Sequence, residues 1–157
     1  MNHQHRKEGD LDSGPGGGKR TAATSRAALV IPALTRAAPG VARKRTVQVL
    51  REWDVPADCC GLLELIVSEL ATNAVLHTRS VRIPLEIELT ADSVRVSVRD
   101  RGPRPAGPIR PRARTHELDE SGRGLELVDA LSLRWGVLPA PGAGSTVWAT
   151  VALAQAR

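Results

Sequence analysis

The sequence of 157 residues contains no phenylalanine and no tyrosine, and three tryptophans supply all of its aromatic rings. A folded core must therefore be built mainly from aliphatic side chains. The same shortage disfavours proteins that stack nucleic-acid bases on aromatic platforms. Hydrophobic residues make up 41% of the chain and charged residues 25%, which is ordinary for a globular protein. The length suits one domain with a single core.

Cysteine is also scarce. The two cysteines, Cys59 and Cys60, are adjacent in the sequence, which is a poor geometry for a bond between them, so a disulfide framework is excluded. No uninterrupted apolar run approaches the roughly 20 residues of a membrane span, and the N-terminus lacks the apolar region of a secretory signal. Together these absences predict a reducing, cytoplasmic setting.

Positive charge is in excess. The formal net charge is +5, and 19 of the 22 basic residues are arginine. Such an excess is expected of a protein with an anionic partner, whether a nucleotide, a nucleic acid or an acidic protein. It is equally expected of a GC-rich genome, because arginine, alanine, glycine and proline are all abundant here. Composition alone leaves both explanations open.

The first 25 residues are polar, mixed in charge and rich in glycine at positions 14–18. They contain too few apolar side chains to offset the entropy lost on ordering. We therefore expect a disordered tail over residues 1–25 and one domain over residues 26–157. The histidines in the tail, His3 and His5, are more simply incidental than a metal site.

Hydrophobic periodicity predicts the elements of this domain. It indicates a strand at 27–31, helices at about 41–53 and 56–77, a hairpin of strands at 85–89 and 94–98, a helix from about 124 to 133, and final strands near 134–138 and 145–153. In the hairpin, Glu88 would lie opposite Arg95. Gly136 is interpreted as the signal that stops the last helix.

The segment 101–121 interrupts this pattern with four prolines and five arginines. A stretch of this length without periodicity predicts a lid or a binding loop. The order of elements is neither a strict alternation of strand and helix nor a helical bundle. It predicts an α/β fold, a two-layer sandwich in which a mixed, mainly antiparallel sheet carries helices on one face.

The second predicted helix carries an unusual polar stripe. Glu69, Asn73 and His77 follow one another at intervals of four residues along the border of the apolar face. Polar groups in such positions need partners, because burying one without a hydrogen bond costs about 1–3 kcal/mol. A hydrogen-bonded core network, a helix-end cap at His77 and a functional site fit the stripe equally well.

Three further segments combine glycine with polar residues. Asp100 ends a strand just before Gly102 and could accept hydrogen bonds from an amino-bearing ligand or simply form a turn. The segment 122–125 opens a helix with two glycines, which suits phosphate binding or capping. The segment 142–148 is a glycine turn entering a strand, with Trp148 as a packing residue. Neither a P-loop nor a Rossmann fingerprint is present.

Taken in order, these four segments resemble the motifs of the GHKL, or histidine-kinase-like, ATPases. Residues 69–77 are similar to the N box, and residues 100–102, 122–128 and 142–146 are similar to the three glycine boxes. The resemblance covers about residues 27–153 and is strongest to small stand-alone actinobacterial anti-sigma-factor serine kinases. One departure lies in the first glycine box, where Arg104 stands at a position that is glycine in many relatives.

The resemblance implies the Bergerat fold with ATP and Mg²⁺ as cofactors. Asp100 would hold the adenine amino group, with Thr146 assisting through water. Asn73 would ligate Mg²⁺, and Glu69 would be the general base that takes a proton from an attacking serine. The implied nucleotide-binding residues are Asn73, Asp100, Gly102, Gly122, Arg123, Gly124, Leu125 and Thr146.

The activity implied is that of a protein-serine kinase acting on an anti-anti-sigma partner, and of an inhibitor that binds a sigma factor. A homodimer is in keeping with the relatives, whereas direct nucleic-acid and membrane contacts are not expected. One alternative is an interaction module that binds ATP and phosphorylates nothing. Another is a nucleic-acid binder using the arginine-rich loop, although no known motif supports it.

Overall fold

Three helices and five strands make up the part of the chain that the structure describes. The computed structural model describes residues 24–77, 80–101, 123–139 and 144–153, with the backbone alone for His77 and Arg123. The elements are β1 (Ser25–Pro32), α1 (Ala38–Glu52), α2 (Ala57–His77), β2 (Arg82–Leu89), β3 (Ser93–Asp100), α3 (Arg123–Leu131), β4 (Arg134–Pro139) and β5 (Ser145–Ala152). Residues 1–23 of the expected tail and 102–121 of the expected lid lie outside the described residues.

The five described strands form one sheet in the order β1-β2-β3-β5-β4, and every neighbouring pair is antiparallel. The predicted two-layer α/β architecture is thereby confirmed. Glu88 lies in register with Arg95, as predicted for the hairpin. On the neighbouring strand β1, the guanidinium of Arg26 lies 3.4 Å from the Glu88 carboxylate.

One face of the sheet packs against the helices and forms an aliphatic core. Alternate residues of each strand point into this core, as expected for strands with one covered face. The buried hydrophobic residues on this face of the sheet are Ile31, Ile83, Leu85, Ile87, Val94, Val96, Val98, Trp135, Ala149 and Val151. The shortage of aromatic rings is thus met by branched aliphatic side chains, with Trp135 as the single large ring in this cluster.

A tight backbone motif joins α1 to α2 and sets the direction of α2. Asp54 has a φ of 56°, and the N–H groups of Asp54 and Val55 donate to the carbonyls of Arg51 and Leu50 at 3.0 and 2.9 Å. This pair of bonds is the Schellman pattern of a helix end. The chain therefore reverses within a few residues, and α2 packs back against α1.

Apolar residues of α2 form one buried face, with the polar stripe at its border as expected. Its buried residues include Leu63, Ile66, Val67, Leu70, Ala71 and Ala74. By length and composition α2 is apolar enough to cross a membrane, with a mean hydropathy of 1.6 over Ala57–Leu76. The prediction based on uninterrupted apolar runs did not detect this property of α2. A helix packed between a sheet and a second helix meets the same test, because its apolar residues form the core.

The prediction that Gly136 stops the last helix is wrong. Helix α3 ends at Leu131, and Gly136 lies inside β4 opposite Trp148. A Cβ added at Gly136 would lie 3.0 Å from the Trp148 ring, so the glycine makes room for the indole. On the other side, the Arg95 guanidinium lies 4.2 Å from the ring centroid. Trp148 is 7% exposed, which confirms that it is a packing residue.

Both cysteines are buried and free, as their adjacency predicted. The Cys59 thiol donates to the backbone carbonyl of Ala152 at 3.4 Å, and the Cys60 thiol donates to the carbonyl of Val55 at 3.4 Å. Burial raises the pKa of the Cys60 thiol. Both residues therefore serve the packing of the first turn of α2.

We expect Gly136→Ala to lower the free energy of unfolding by about 1–3 kcal/mol, because the added methyl would overpack against a confined indole ring. Chemical denaturation measures the change. Gly61→Ala on α2 is the matched control, since a Cβ there meets nothing within 4 Å, and it should raise stability by about 0.5–1 kcal/mol. Equal stabilities of Gly136→Ala and wild type would show that the indole gives way.

Candidate functional site

The first group of candidate residues lies on α2. Glu69 and Asn73 are one helical turn apart and half-buried, beside the buried Leu70 and Ala74. Because the apolar neighbours fix the rotation of α2 on the sheet, both polar side chains emerge at the border of the core, as expected for this spacing. The side chain of His77, the third member of the stripe, lies outside the described residues.

The start of α3 lies directly against Glu69. A Cβ added at Gly124 would sit 2.6 Å from Oε2, 3.5 Å from Cδ and 3.6 Å from Cβ of Glu69. The Glu69 side chain thus extends across the Cα atom of Gly124. This places a carboxylate beside the first turn of a helix, where unpaired N–H groups favour negative charge by about 0.3–1 kcal/mol.

Three contacts hold α3 in this position. The buried side chain of Val128 anchors the helix in the core. The indole N–H of Trp135 on β4 donates to Asp129 Oδ1 on α3 at 2.9 Å and joins the two elements. Leu125 is half-buried and packs against the same core. The N-terminal turn of α3 is therefore fixed relative to both α2 and the sheet.

A second group forms where β3 ends and β5 begins. Asp100 lies in register with Ser145, and the Ser145 hydroxyl donates to Asp100 Oδ2 at 3.2 Å. A Cβ on Gly144 would overlap the carbonyl oxygen of Asp100 and lie 3.1 Å from Cα of Arg101. The N–H of Arg101 in turn donates to the Ser80 hydroxyl at 3.0 Å. Close backbone packing and two side chains thus hold the end of β3.

Ser145 is a residue that the sequence analysis missed. Thr146, which it named instead, lies in register with Arg99 and Leu138. Because successive side chains of a strand alternate between faces, Thr146 faces the side of the sheet opposite to Ser145. Strand alternation in the sequence could have indicated Ser145, because residues 145, 147 and 151 lie on the same side of a strand.

The structure describes only part of the remaining candidate nucleotide-binding residues. Gly102 and Gly122 lie outside the described residues, and Arg123 is described by its backbone as the first residue of α3. The structure thus joins Glu69 to Gly124 and Asp100 to Ser145. It does so through contacts between residues that are far apart in the sequence.

The donor set suits a magnesium ion that is shared with phosphates. Within the described ranges, no three histidine, cysteine, aspartate or glutamate side chains come together as a metal site. A cation held by the carboxamide oxygen of Asn73 would draw its other ligands from phosphate oxygens and water. Mg²⁺ is commonly bound in this way at nucleotide sites, with few protein ligands. The residues present therefore fit the implied ion.

Comparison with known proteins identifies the family. The family model described as "Histidine kinase-like ATPase domain" matches residues 31–151, which is well over half of the chain. The chain belongs to the histidine kinase-like ATPase family. The matched range runs from the end of β1 into β5 and includes both contact pairs described above. The resemblance found in the four sequence motifs is thereby confirmed.

A solved structure shows the same fold for this ATPase-family domain. The crystal structure of the RsbU and RsbW domains of Rv1364c from Mycobacterium tuberculosis superposes with a TM-score of 0.59 at 20% sequence identity. The match covers 82% of this chain and 32% of that chain, so this chain spans about a third of the other's length. No curated protein sequence matches the chain. At this identity the likeness concerns the fold.

We expect Gly144→Ala to destabilise the domain by more than about 1 kcal/mol, because the clash is with the backbone of Asp100, which cannot rotate away. Ser145→Ala removes only one hydrogen bond and should cost about 0.5–1.5 kcal/mol. Chemical denaturation of both variants, with Gly61→Ala as the control, measures the difference. A Gly144→Ala protein as stable as wild type would contradict the close approach of β5 to the end of β3.

Proposed function

We propose that this domain binds ATP and acts in the cytoplasm as an anti-sigma factor with serine kinase activity towards an anti-anti-sigma partner. The observation that carries the proposal is the contact of Glu69 with Gly124, because it sets a carboxylate beside a helix start suited to phosphate. Membership of the ATPase family supports the nucleotide. The class of protein partner rests on the motif resemblance to anti-sigma-factor kinases.

In the proposed nucleotide site, Asp100 accepts a hydrogen bond from the adenine amino group. The same carboxylate accepts a hydrogen bond from Ser145, and its two oxygens offer about four acceptor positions in all. Ser145 is therefore added to the proposed set beside Asp100. Gly102, Gly122, Arg123, Gly124 and Leu125 remain proposed members from the motif resemblance, which also named Thr146, although the Thr146 side chain faces the side of the sheet opposite to Ser145.

Asn73 is the proposed protein ligand of Mg²⁺. When bound, the ion neutralises charge on the phosphates and orients them for transfer. Asn73 would hold it through its carboxamide oxygen, one helical turn from Glu69. This separation keeps the metal-binding side chain and the proposed base as distinct groups on the same side of α2.

The proposed reaction transfers the γ-phosphoryl group of ATP to a serine hydroxyl of the partner. The serine oxygen forms a bond to the γ-phosphorus, the bond to the bridging oxygen breaks, and ADP leaves with that bond's electron pair. The Glu69 carboxylate takes the hydroxyl proton. Positioning and charge neutralisation provide most of the acceleration in phosphoryl transfer, and the base adds roughly 10²–10⁴.

A second candidate function is ATP-dependent protein interaction without phosphoryl transfer. The sequence observation that favours it is Arg104 at a position that is glycine in many relatives. The presence of both Glu69 and Asn73 favours the kinase, because an interaction module that only binds ATP has no need of a base. The two functions share ATP binding and differ in the fate of the γ-phosphate.

We expect Asn73→Ala to weaken ATP binding at least about tenfold in the presence of Mg²⁺, which is about 1.4 kcal/mol, because the variant lacks the metal ligand. Isothermal calorimetry with Mg²⁺ and with a chelator measures this. In chelator, wild type and variant should bind alike, which is the internal control. A wild type that binds no ATP at millimolar concentration would refute the nucleotide proposal.

We expect Glu69→Gln to leave ATP affinity within about threefold, under ~0.7 kcal/mol, and to slow phosphate transfer at least about a hundredfold. Glutamine keeps the shape of the side chain and removes the base. The measurement is transfer of labelled γ-phosphate to a purified candidate anti-anti-sigma protein. A variant as fast as wild type rules out Glu69 as the base, and a wild type that binds ATP without transfer favours the second candidate.

A further inference from the structure

The Glu69 side chain lies across Gly124. The three atoms nearest to a Cβ placed at Gly124 all belong to Glu69, from its Cβ atom to its carboxylate oxygen. Gly124 is itself buried. The space that a larger residue would need at position 124 is therefore already occupied by Glu69.

The backbone does not require glycine at this position. Gly124 is the second residue of α3, and among the described glycines only Gly144 has a positive φ. Every L-residue can adopt a helical backbone, and alanine is a better helix former than glycine. The important feature of Gly124 is thus that it has no side chain, because the Glu69 side chain occupies the space that one would fill.

We propose that Gly124 is a positioning residue for Glu69. The missing Cβ lets the carboxylate lie at the start of α3, beside the turn proposed to cradle the phosphates. The residue at position 124 therefore determines where the base sits relative to the γ-phosphate. The catalytic meaning of this proposal rests on the proposed function, whereas the packing relation between the two residues can be tested without nucleotide.

A methyl group at position 124 has a specific expected effect. At 2.6 Å it would be too close to Oε2, whereas the distances to Cδ and Cβ of Glu69 are ordinary contacts. Oε2 is the far end of a flexible side chain, so the carboxylate can rotate away while the helices stay in place. Gly124→Ala should therefore preserve the fold and displace the base.

A double-mutant cycle tests the packing relation in the full-length protein. Thermal unfolding is measured for wild type, Gly124→Ala, Glu69→Ala and the double variant, with Gly61→Ala as the matched helix control. Gly61→Ala should raise Tm by roughly 2–5 °C. Gly124→Ala should give no rise in the wild-type background and a comparable rise in the Glu69→Ala background. The same change in both backgrounds would overturn the proposal, because neighbours in contact are not additive.

Kinetics test the positioning role. We expect Gly124→Ala to lower kcat for serine phosphorylation at least about tenfold with KM for ATP within about threefold, because a displaced base weakens an interaction made only in the transition state. Gly61→Ala should change neither value. An unchanged kcat, or a raised KM with kcat intact, would overturn the positioning role and assign Gly124 to phosphate binding alone. A wild type that binds ATP and transfers nothing refutes the kinase, and the stability cycle then decides the coupling by itself.

Discussion

The packing of α2 against the sheet is the constraint on which the rest of the structure depends. Its aliphatic face, including Leu63, Ile66 and Leu70, is buried against the strands, and the chain has no other long helix that contacts α1, α3 and the sheet among the described elements. Each large buried side chain contributes roughly 1.5–3 kcal/mol, so the rotation of α2 about its axis is strongly fixed. Glu69 and Asn73 can therefore stay half-exposed at the border of the core with a defined direction.

At three glycines, a neighbouring group packs directly against the backbone where a side chain would otherwise lie. The group differs at each glycine. Gly136 admits the Trp148 ring, Gly144 admits the backbone of Asp100, and Gly124 admits the side chain of Glu69. The consequences of filling these spaces differ with the stiffness of the neighbour. Backbone cannot move aside and an indole moves little, but a carboxylate rotates freely. Substitution at the first two positions should therefore affect the fold, and substitution at the third should affect the chemistry.

Hydrophobic periodicity was sufficient to predict the eight described elements and the stripe of Glu69 and Asn73, because both follow from local spacing. It failed at Gly136, since a glycine after a helix looks like a stop signal whether it ends the helix or lies in the next strand. The motif resemblance named Thr146, whereas the residue bonded to Asp100 is Ser145. That distinction depends on strand register, which joins residues 45 positions apart. The contact of Glu69 with Gly124 is likewise tertiary, and no spacing within one helix indicates it.

The charges at the site are coupled through the start of α3. A helix N-terminus carries the equivalent of about half a positive charge, and the Glu69 carboxylate already lies against it. Triphosphate brought to the same turn would add further negative charge beside that carboxylate. In the proposed site, a cation bound with the nucleotide would offset part of this charge. Asn73 can ligate this cation through a neutral oxygen, whereas an aspartate there would place another anion one turn from Glu69. In the proposed site, the neutral amide would thus hold the metal without placing a second carboxylate beside Glu69.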